Sequence, residues 1–528
     1  MKTLQQIYDF FGLSEEGVEI LSSTEVGDAN KIEVRNVSTD SRTLGKSDGF
    51  IAIQGYTQHG LKFMQQAIES GVSCILTDRT LTETERAWYH RQNLSGAIIV
   101  VKDLNARLGR FADWFYDQPS QNIKVVGITG TNGKTSTAHY VAKLLLALGQ
   151  TPALIGTLGN GLFKKHADDL ATSLNTTPDV VTVHRLLHEF IQQGANWAVM
   201  EVSSHALELG RIDQLKFECV ALTQVTRDHL DFHQTELAYQ QAKAKLFLEY
   251  ESRFQVLNGN DVVGKQMISE LPHALVYSTD AQEVDENGHP HLYCSETQLN
   301  AQGMKLNLHF AKAECKANIP LMGVFNVENA LCAIGIMMAC GFDWAASCQV
   351  LSKMSAVKGR MEVVTSHPAV IVDFAHTPDA LQQVLQAVRQ HLEIQPSEET
   401  ALGRLWVVFG CGGDRDSGKR PLMAKVAEMF ADKVVLTSDN PRYESPQQII
   451  ADTLAGFEKP KAVKVIEDRE EAIHWALESA APEDLIVIAG KGHEAYQDIQ
   501  GIKQPFSDQQ TVLEWMEQSA KRSENGSS

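Results

Sequence analysis

The residues best suited to chemistry in this 528-residue chain form one short stretch, residues 130–135, with the sequence Gly-Thr-Asn-Gly-Lys-Thr. An apolar run precedes it and apolar residues at helical spacing follow it, which predicts a strand, a glycine turn and a helix. In that layout backbone N–H groups face phosphate oxygens, Lys134 contacts the terminal phosphates and the Thr135 hydroxyl is a ligand for Mg²⁺. The sequence therefore predicts a nucleoside triphosphate site. The turn is shorter than in the usual P-loop, because Ile128 occupies the position of the first glycine.

The elements that must position this turn belong to an α/β fold with mainly parallel sheets, since apolar runs alternate with helical stretches along the chain. We predict three domains, at residues 1–119, 120–357 and 358–528, with a polar linker over 117–121 and a disordered tail from about residue 521. Hairpins are expected within residues 280–313. Strands are predicted at residues 49–53, 73–77, 97–101, 123–128, 197–202, 220–225, 369–374, 405–409, 433–436 and 485–489.

Composition limits the classes of partner. The chain has 47 Lys and Arg against 66 Asp and Glu, a net charge of −19, which argues against nucleic acid or an anionic membrane as the main partner. The eight cysteines show no C-x-x-C pair, so we expect buried thiols in a reducing compartment. The first residues lack the apolar core of a signal peptide, and no apolar run has membrane-spanning length. We expect a cytosolic, monomeric enzyme without membrane insertion.

Carboxylates and histidines follow the predicted strands of the central domain. Glu201 ends one strand, where its carboxylate can hold Mg²⁺ together with Thr135 or, equally well, cap a helix. The loop over residues 228–233 contains two aspartates and two histidines, His229 among them. Such a loop binds a metal, shuttles protons or is simply polar with its histidines hydrogen bonded.

Four predicted strands of the third domain end in polar or glycine-rich loops, and ligands bind at the carboxyl ends of parallel strands. Arg415 and Arg442 supply two guanidinium groups for carboxylates, and Glu494 can hold an ammonium group. Together they suit a substrate that carries both groups, although a surface ion-pair network is the alternative. Arg360, at a domain joint, either reaches a phosphate when the domains close or forms an interdomain ion pair. Asp373, after a buried strand, is placed for a ribose or a base.

The order and spacing of these motifs resemble the ATP-dependent Mur ligases of peptidoglycan synthesis over almost the whole chain. The motifs shared with the family are residues 130–135, 200–205, 226–231, 359–362 and 373–378. Residues 39–42, 175–177, 412–415, 439–442 and 490–494 single out the branch that adds meso-diaminopimelate to a UDP-muramoyl dipeptide. Asp-Asn-Pro-Arg at residues 439–442 is typical of that branch, because lysine lacks the distal carboxylate that Arg442 would bind.

The resemblance implies a UDP-binding α/β domain, a central P-loop domain that binds ATP and Mg²⁺, and a Rossmann-like domain for the amino acid. The nucleotide contacts that it implies are Gly130, Thr131, Asn132, Gly133, Lys134, Thr135, Ser136, Asn326, Arg360 and Asp373. The substrate positions that it implies are Thr39, Ser41, Tyr56, Thr57, Gln58, Asn175, Thr176, Thr177, Ser203, Leu209, Arg211, Arg415, Asp439, Asn440, Pro441, Arg442, Gly490 and Glu494. It also matches Lys243 with a carbamylated lysine, N6-carboxylysine, and implies two Mg²⁺ ions on Thr135, Glu201, His229 and Lys243. The expected catalytic residues are Lys134, Glu201, His229, Lys243 and Arg360.

An amide ligase of this kind activates the D-glutamate γ-carboxylate as an acyl phosphate, which the amine of diaminopimelate then attacks. Four positions depart from the family pattern, namely His59, Leu209, Gln224 and Lys358, and of these Leu209 replaces a polar substrate contact. Three alternatives remain. One is a sister ligase that adds L-lysine or D-alanyl-D-alanine, or that extends folate with glutamate. The others are a P-loop nucleotidase or kinase, and a nucleotide-binding regulator without catalysis.

Overall fold

The structure, a computed structural model, describes residues 1–12, 18–22, 26–55, 58–91, 97–164, 170–171, 175–279, 289–300, 303–366, 368–393 and 403–525. Two predicted substrate residues, Tyr56 and Thr57, lie outside these ranges. The chain divides into two compact units. The first comprises Met1–Lys134 and Leu145–Val256, and the second comprises Thr135–Leu144 and Leu257–Ser528. None of the helices described is both long and apolar enough to cross a membrane.

The first unit begins with a small sheet flanked by helices. Its elements are β1 Lys2–Thr3, α1 Leu4–Phe11, β2 Val18–Ser22, β3 Glu33–Val34, β4 Val37–Ser38, β5 Gly49–Ala52, α2 Met64–Glu69, β6 Cys74–Thr77, α3 Glu83–Arg91, β7 Ala97–Val101 and α4 Leu104–Phe115. The strand order is β2-β7-β6-β5-β4, parallel except for β2, while β1 pairs separately with β3. Every residue of β7 is buried, as expected of a parallel strand covered on both faces.

The P-loop lies in a second sheet. Its elements are β8 Lys124–Thr129, α5 Lys134–Ala147, β9 Pro152–Gly156, β10 Gly159–Leu162, α6 Val180–Gln192, β11 Trp197–Glu201, α7 Ser204–Glu208, β12 Phe217–Leu222, α8 Leu230–His233, α9 Glu236–Leu248 and β13 Ser252–Asn258. The order is β10-β9-β11-β8-β12-β13, and only β10 is antiparallel. Glu201 is opposite Ile128 and Leu222 is opposite Thr129, so β8, β11 and β12 end at one edge of the sheet.

The second unit contains a group of antiparallel strands packed with helices. Its elements are α10 Val262–Ile268, β14 Leu275–Ser278, β15 His291–Asn300, β16 Gly303–Phe310, β17 Ala313–Ile319, α11 Phe325–Ala339 and α12 Trp344–Leu351. Strands β15, β16 and β17 pair antiparallel in chain order, which confirms the predicted hairpins for the residues described here. Nearly all of α11 is buried, in agreement with its apolar sequence.

A mostly parallel sheet with helices on both faces completes the second unit. Its elements are β18 Glu362–Ser366, β19 Ala369–Asp373, α13 Pro378–Glu393, β20 Leu405–Phe409, α14 Lys419–Phe430, β21 Lys433–Leu436, α15 Pro446–Leu454, β22 Lys464–Val465, α16 Arg469–Ser479, β23 Leu485–Ala489, β24 Tyr496–Ile499, β25 Ile502–Pro505 and α17 Asp508–Asn525. The order is β18-β19-β23-β20-β21-β22, with β18 antiparallel. Along β23, Val487 packs into one core and Ile488 into the other, because strand residues alternate between faces.

The predicted strands agree with the structure, and four of them (residues 97–101, 405–409, 433–436 and 485–489) match in both bounds. The proposed linker over residues 117–121 contains a short 3₁₀ helix, Pro119–Gln121, with proline at its first position and with Pro119 and Ser120 buried. The chain is helical up to Asn525, where a disordered tail was expected, and only residues 526–528 of that tail lie outside the description. Six of the eight cysteines are buried thiols, and Cys315 and Cys340 are half-buried.

The alternation along β23 leads to a stability prediction. Replacing the fully buried Ile488 with alanine should lower the free energy of unfolding by about 2–5 kcal/mol, the cost of a large-to-small core substitution. The matched change at Ile502, which is 65% exposed, should alter it by less than about 0.5 kcal/mol. Denaturant unfolding followed by tryptophan fluorescence measures both. Equal losses in the two variants would contradict the assignment of Ile488 to the core.

Candidate active site

The P-loop has a backbone conformation that requires glycine. Gly130 has φ +147° and Gly133 has φ +86°, and a Cβ at Gly130 would collide with the Thr223 hydroxyl. That hydroxyl donates to the Asn132 carbonyl over 2.7 Å. A main-chain bond also holds the turn, since Thr131 N–H donates to the carbonyl of Gln224, just beyond β12, at 2.6 Å. Because this contact uses the main chain, glutamine in place of the family's asparagine leaves it intact.

Two lysines converge on one carbonyl of this turn. Lys134 Nζ donates to the Gly130 oxygen at 2.7 Å and to the Thr131 oxygen at 2.9 Å. Lys243 Nζ, on α9, donates to the same Gly130 oxygen at 2.7 Å. Lys243 is only 1% exposed, and its ammonium lies 4.5 Å from the centre of the Tyr239 ring, one helical turn earlier. The structure therefore brings Lys243, which the sequence indicated only by resemblance, against the P-loop.

Glu201 is buried at the end of β11, where the sheet register places it beside the P-loop strand. Its carboxylate accepts from the Thr157 N–H at 2.8 Å and contacts the Thr157 hydroxyl at 3.1 Å. The Thr157 hydroxyl is 3.1 Å from that of Thr176, and Thr177 Oγ1 donates to the Glu201 main-chain oxygen at 2.8 Å. The Glu201 carboxylate is thus held by Thr157, and its main-chain oxygen is held by Thr177 of the predicted substrate segment.

The remaining predicted substrate residues of this domain cluster around that segment. Ser203 N–H donates to Thr177 Oγ1 at 3.1 Å, and the Arg211 guanidinium donates to the Thr177 carbonyl at 2.9 Å. Asn175 is exposed at the start of the same segment. Leu209 is 43% exposed, as a residue that replaces a polar contact at a ligand surface would be.

The two histidines of the 228–233 loop have different environments. His233 is buried, and its Nε2 lies 3.0 Å from the Ser204 hydroxyl. It is therefore a hydrogen-bonded histidine, one of the alternatives that the sequence left open for this loop. His229 is half exposed, has φ +50° and lies 3.5 Å from the Asp228 carboxylate. Its ring also packs 6.3 Å from that of Tyr239, the residue that contacts Lys243. Its role as a metal ligand remains a prediction.

The predicted UDP-binding residues that the structure describes, Thr39, Ser41 and Gln58, lie in short connecting segments. Ser41 Oγ donates to the side-chain oxygen of Gln66 at 3.0 Å, and Thr39 is two residues away in the chain. Gln58 precedes His59, whose Nδ1 accepts from the Leu61 N–H at 3.1 Å and caps the 3₁₀ helix Gly60–Phe63. His59 Nε2 is 2.6 Å from Asp78 Oδ1. The turn is therefore capped even though His59 departs from the family pattern.

Three predicted nucleotide residues of the second unit, Thr135, Ser136 and Asn326, are buried. Thr135 and Ser136 lie in the first turn of α5, where both side chains are largely shielded. The amide oxygen of Asn326 accepts from the Tyr140 hydroxyl at 3.1 Å, and its nitrogen donates to the Met322 carbonyl at 2.8 Å. These bonds fix the Asn326 side chain in the interior. That it contacts the nucleotide remains a prediction.

Arg360 and Asp373 are adjacent at the start of the C-terminal sheet. The Arg360 guanidinium lies 4.5 Å from the centre of the Phe374 ring. Asp373 accepts from the Met361 N–H at 2.7 Å and the Ala375 N–H at 2.8 Å, so both of its oxygens are bound to main chain. Burial raises the pKa of Asp373, and the nearby Arg360 charge opposes that rise.

Arg415 and Arg442, predicted to bind carboxylates, border the same glycine. Arg442 has φ +51°, and its guanidinium donates to the Gly413 carbonyl at 2.6 Å. A Cβ added to Gly412 would lie 3.0 Å from Arg442 Nη1 and 3.9 Å from Arg415 Cγ. The Arg442 N–H donates to the Asp498 carbonyl at 2.9 Å, which anchors this loop on β24. The structure therefore brings the two guanidinium loops together.

A buried hydrogen-bond network joins the 439–442 loop to the loop over residues 490–494. Asn440 Nδ2 donates to Glu494 Oε2 at 2.7 Å. Lys491 Nζ donates to Asn440 Oδ1 at 3.0 Å and to Glu494 Oε2 at 3.1 Å. Gly490, at φ +118°, leaves room for Asp439, whose Oδ2 would be 2.6 Å from an added Cβ. Glu494, predicted to hold a substrate ammonium, therefore already accepts from Lys491.

Sequence reasoning missed several residues that organise these loops. In the sequence, Lys491 is noticeable only as part of the motif at residues 490–494, and its neighbours do not indicate that it is fully buried. Arg420 is also buried, and it binds the carboxylates of Glu444 and Asp452, each at 2.8 Å. Helical spacing did offer a signal for Lys243, because it shares a face with Tyr239, whereas Lys245 points elsewhere and pairs with Glu208.

Comparison with known proteins identifies the family. Three family models match the chain: the catalytic domain of the Mur ligase family over residues 33–116, the Mur ligase middle domain over 128–337 and the Mur ligase glutamate ligase domain over 359–492. A relative from Haemophilus ducreyi is 40% identical over 92% of this chain and 96% of its own length. The chain belongs to the Mur ligase family. Its three-domain α/β architecture is that of the Mur ligases.

Two of the relatives of this Mur ligase carry the same name. The Haemophilus ducreyi protein is a UDP-N-acetylmuramoyl-L-alanyl-D-glutamate–2,6-diaminopimelate ligase, as is a relative from Xanthomonas campestris that is 40% identical over 92% of this chain and 94% of its own length. A solved structure of a ligase with that name aligns with 98% of this chain and 99% of its own, at a TM-score of 0.65 and 32% identity.

The buried histidine on α5 makes the stability of this Mur ligase depend on pH. Burial lowers the pKa of His139 to about 3, and the charges of Lys143, Arg360 and His493 add repulsion. The unfolded chain therefore binds a proton below pH 6.5 that the folded chain does not, so stability falls as the pH drops below 6.5. The loss between pH 7 and pH 5 is about 2 kcal/mol for this one group.

We expect His139→Gln to reduce the pH 7 to pH 5 difference in unfolding free energy by that amount, because glutamine does not titrate. Urea unfolding of the variant and of the wild type at both pH values measures the difference. An unchanged pH dependence in the variant would show that His139 titrates alike in the folded and unfolded chains.

Proposed function

We propose that this Mur ligase joins meso-diaminopimelate to the D-glutamate of UDP-N-acetylmuramoyl-L-alanyl-D-glutamate, using ATP. Relatives 40% identical over 92% of the chain carry the name of that reaction. The structural observation that supports the choice of amino acid is the Asp-Asn-Pro-Arg loop, residues 439–442. Its Arg442 is fixed by hydrogen bonds at both backbone and side chain beside Arg415. A guanidinium fixed in this way, with the exposed Arg415 on the neighbouring loop, suits a substrate with an additional carboxylate.

The reaction consists of two steps. An oxygen of the D-glutamate γ-carboxylate attacks the γ-phosphorus of ATP, ADP leaves, and an acyl phosphate forms. The amine of diaminopimelate then attacks the acyl carbon, a C–N bond replaces the C–O bond, and inorganic phosphate leaves while the amine proton passes to solvent. A free carboxylate is a poor acyl donor, so the phosphoryl group supplies the leaving group that amide formation requires.

The residues of the P-loop act on the first step. The Lys134 ammonium, held at the Gly130 carbonyl, is placed to neutralise charge on the transferred phosphoryl group. Arg360, stacked on Phe374, is proposed to contribute a second positive charge. The buried carboxylate of Glu201 and the hydroxyl of Thr135 are the hard oxygen ligands that Mg²⁺ prefers, and the ion, when bound, neutralises the phosphates.

Lys243 is proposed to carry a carbamate that, with His229, serves a second Mg²⁺ ion. Its nearly complete burial and its contact with the Gly130 carbonyl support a role at the P-loop for this side chain. We also propose that the domains lie at residues 1–119, 120–357 and 358–528, and that the enzyme is a cytoplasmic monomer with small-molecule substrates only.

The proposed function is tested by phosphate release with ATP, Mg²⁺ and the UDP-muramoyl dipeptide. Diaminopimelate, L-lysine and D-alanyl-D-alanine are added in turn, and the coupled product is identified by mass. We expect phosphate release and a UDP-muramoyl tripeptide only when diaminopimelate is the amino acid added. Release with lysine but not diaminopimelate would overturn the choice of amino acid. Release without any amino acid would indicate a nucleotidase, and release with folate and glutamate would indicate a folate-extending ligase.

Arg442 supports a prediction about substrate affinity. Arg442→Ala should raise the KM for diaminopimelate by about 10²-fold, because a desolvated carboxylate would lose a charged hydrogen-bond partner. The KM for ATP should stay within about twofold, since the change removes no phosphate contact. Arg389→Ala is the matched control, because Arg389 pairs with Asp432 elsewhere in the same sheet domain. Equal KM values for diaminopimelate in the two variants would show that Arg442 does not bind this substrate.

The two lysines of α9 make a second matched pair. Lys243→Ala should lower kcat by about 10²-fold or more, because it removes a buried polar group next to the transferred phosphoryl group. Lys245→Ala removes only a partly exposed ion pair with Glu208, so its kcat should be close to that of the wild type. Steady-state kinetics at saturating substrates compare the two. A similar kcat for both variants would exclude Lys243 from the reaction.

A further inference from the structure

A buried guanidinium lies beneath the loops of the proposed amino-acid pocket. Arg469 is the first residue of α16, and its side chain is completely buried together with that of Asp508, the first residue of α17. Arg469 Nε and Nη2 donate to the two oxygens of Asp508, each at 2.8 Å. Because both charges are desolvated and paired, the removal of one alone would be costly.

The rest of this guanidinium is bound to two main-chain carbonyls. Arg469 Nη1 donates to the Ser438 carbonyl at 3.3 Å, and Nη2 donates to the Ala489 carbonyl at 3.0 Å. Ser438 immediately precedes Asp439, and Ala489 immediately precedes Gly490, so each carbonyl marks the start of one pocket loop. The two loops follow β21 and β23, which are not paired with each other because β20 lies between them. Arg469 therefore links two loops that the strand ladder does not join directly.

The start of α17 supports the same loops from a second position. Gln509, next to Asp508, donates through Nε2 to the Gly492 carbonyl at 3.0 Å and to Glu362 Oε2 at 2.9 Å. The Arg469 charge also interacts with the carboxylates of Asp439 and Glu494, one on each loop. Geometry and charge thus both connect this buried pair with the pocket.

We propose that Arg469 is a positioning residue that sets the spacing between the loops beginning at Asp439 and Gly490, and thereby the fit of the amino-acid substrate. The proposal rests on the function proposed above, because it takes those loops as the diaminopimelate pocket. Arg469 does not touch the substrate. It acts through the carbonyls of Ser438 and Ala489 and through its pair with Asp508.

The guanidinium of arginine can bind Asp508 and both carbonyls at once, whereas the ammonium of a lysine cannot. Its planar fork presents parallel N–H groups to Asp508 while further N–H groups point at two separate carbonyls. Lysine in its place keeps the positive charge for Asp508 but ends in a single nitrogen atom, which cannot reach all three partners. Arg469→Lys therefore still neutralises the buried Asp508 carboxylate but no longer holds the two loops at their spacing.

The test compares Arg469→Lys with Ile473→Ala in the full-length enzyme. Ile473 lies on the same helix, is fully buried in the adjacent core and bonds to neither loop, so its replacement lowers stability without acting on the carbonyls. The KM for diaminopimelate, ATP and UDP-muramoyl dipeptide, the kcat and the melting temperature are measured for each. We expect Arg469→Lys to raise the KM for diaminopimelate by about tenfold and to leave the other two KM values within about twofold.

Ile473→Ala should lower the melting temperature with no change in any KM. If both variants lose stability but keep the wild-type KM for diaminopimelate, Arg469 is merely structural and the inference is wrong. If Arg469→Lys is not recovered folded, the double variant Arg469→Gln with Asp508→Asn, which removes both buried charges, is measured by the same criteria. A wild-type enzyme that does not use diaminopimelate would instead overturn the proposed function, so the two failures are distinguishable.

Discussion

The nucleotide half of this enzyme depends on the main-chain oxygen of Gly130, which accepts hydrogen bonds from the side-chain nitrogens of Lys134 and Lys243. Only glycine allows this carbonyl its position, because φ is +147° and the Thr223 hydroxyl occupies the space of a Cβ. One backbone atom thus connects the P-loop with a helix more than a hundred residues later in the chain.

The same physical arrangement recurs in the C-terminal sheet. Each functional loop begins where a buried parallel strand ends, so strand burial determines where polar side chains meet. Positive φ values at Arg442 and Gly490 then turn the chain sharply at those ends. Buried charges hold the loops together, with Lys491 between Asn440 and Glu494 and with Arg469 beneath them. The loops of the proposed pocket are therefore joined by buried charged side chains.

The sequence predicted the strands and the strand–turn–helix of the P-loop well, because continuous apolar runs and glycine-lysine turns have strong local signatures. It could not predict partners that depend on tertiary packing. Nothing near Lys491 or Arg469 distinguishes them from exposed charges, yet both are buried, and the engagement of Glu494 by Lys491 follows from that burial. The same holds for residues 117–121, whose polar composition gave no indication that Ser120 is buried and that its hydroxyl accepts from the Lys216 N–H.

The central claim is that the carboxylate of the dipeptide is activated by phosphoryl transfer before the amide forms. An isotope measurement tests it most directly. The UDP-muramoyl dipeptide is labelled with ¹⁸O in the D-glutamate γ-carboxylate, and turnover with ATP and diaminopimelate is followed by mass spectrometry of the released phosphate. An acyl phosphate predicts that one labelled oxygen moves into each phosphate while the amide keeps the other. Phosphate without label, formed together with the amide, would contradict the account.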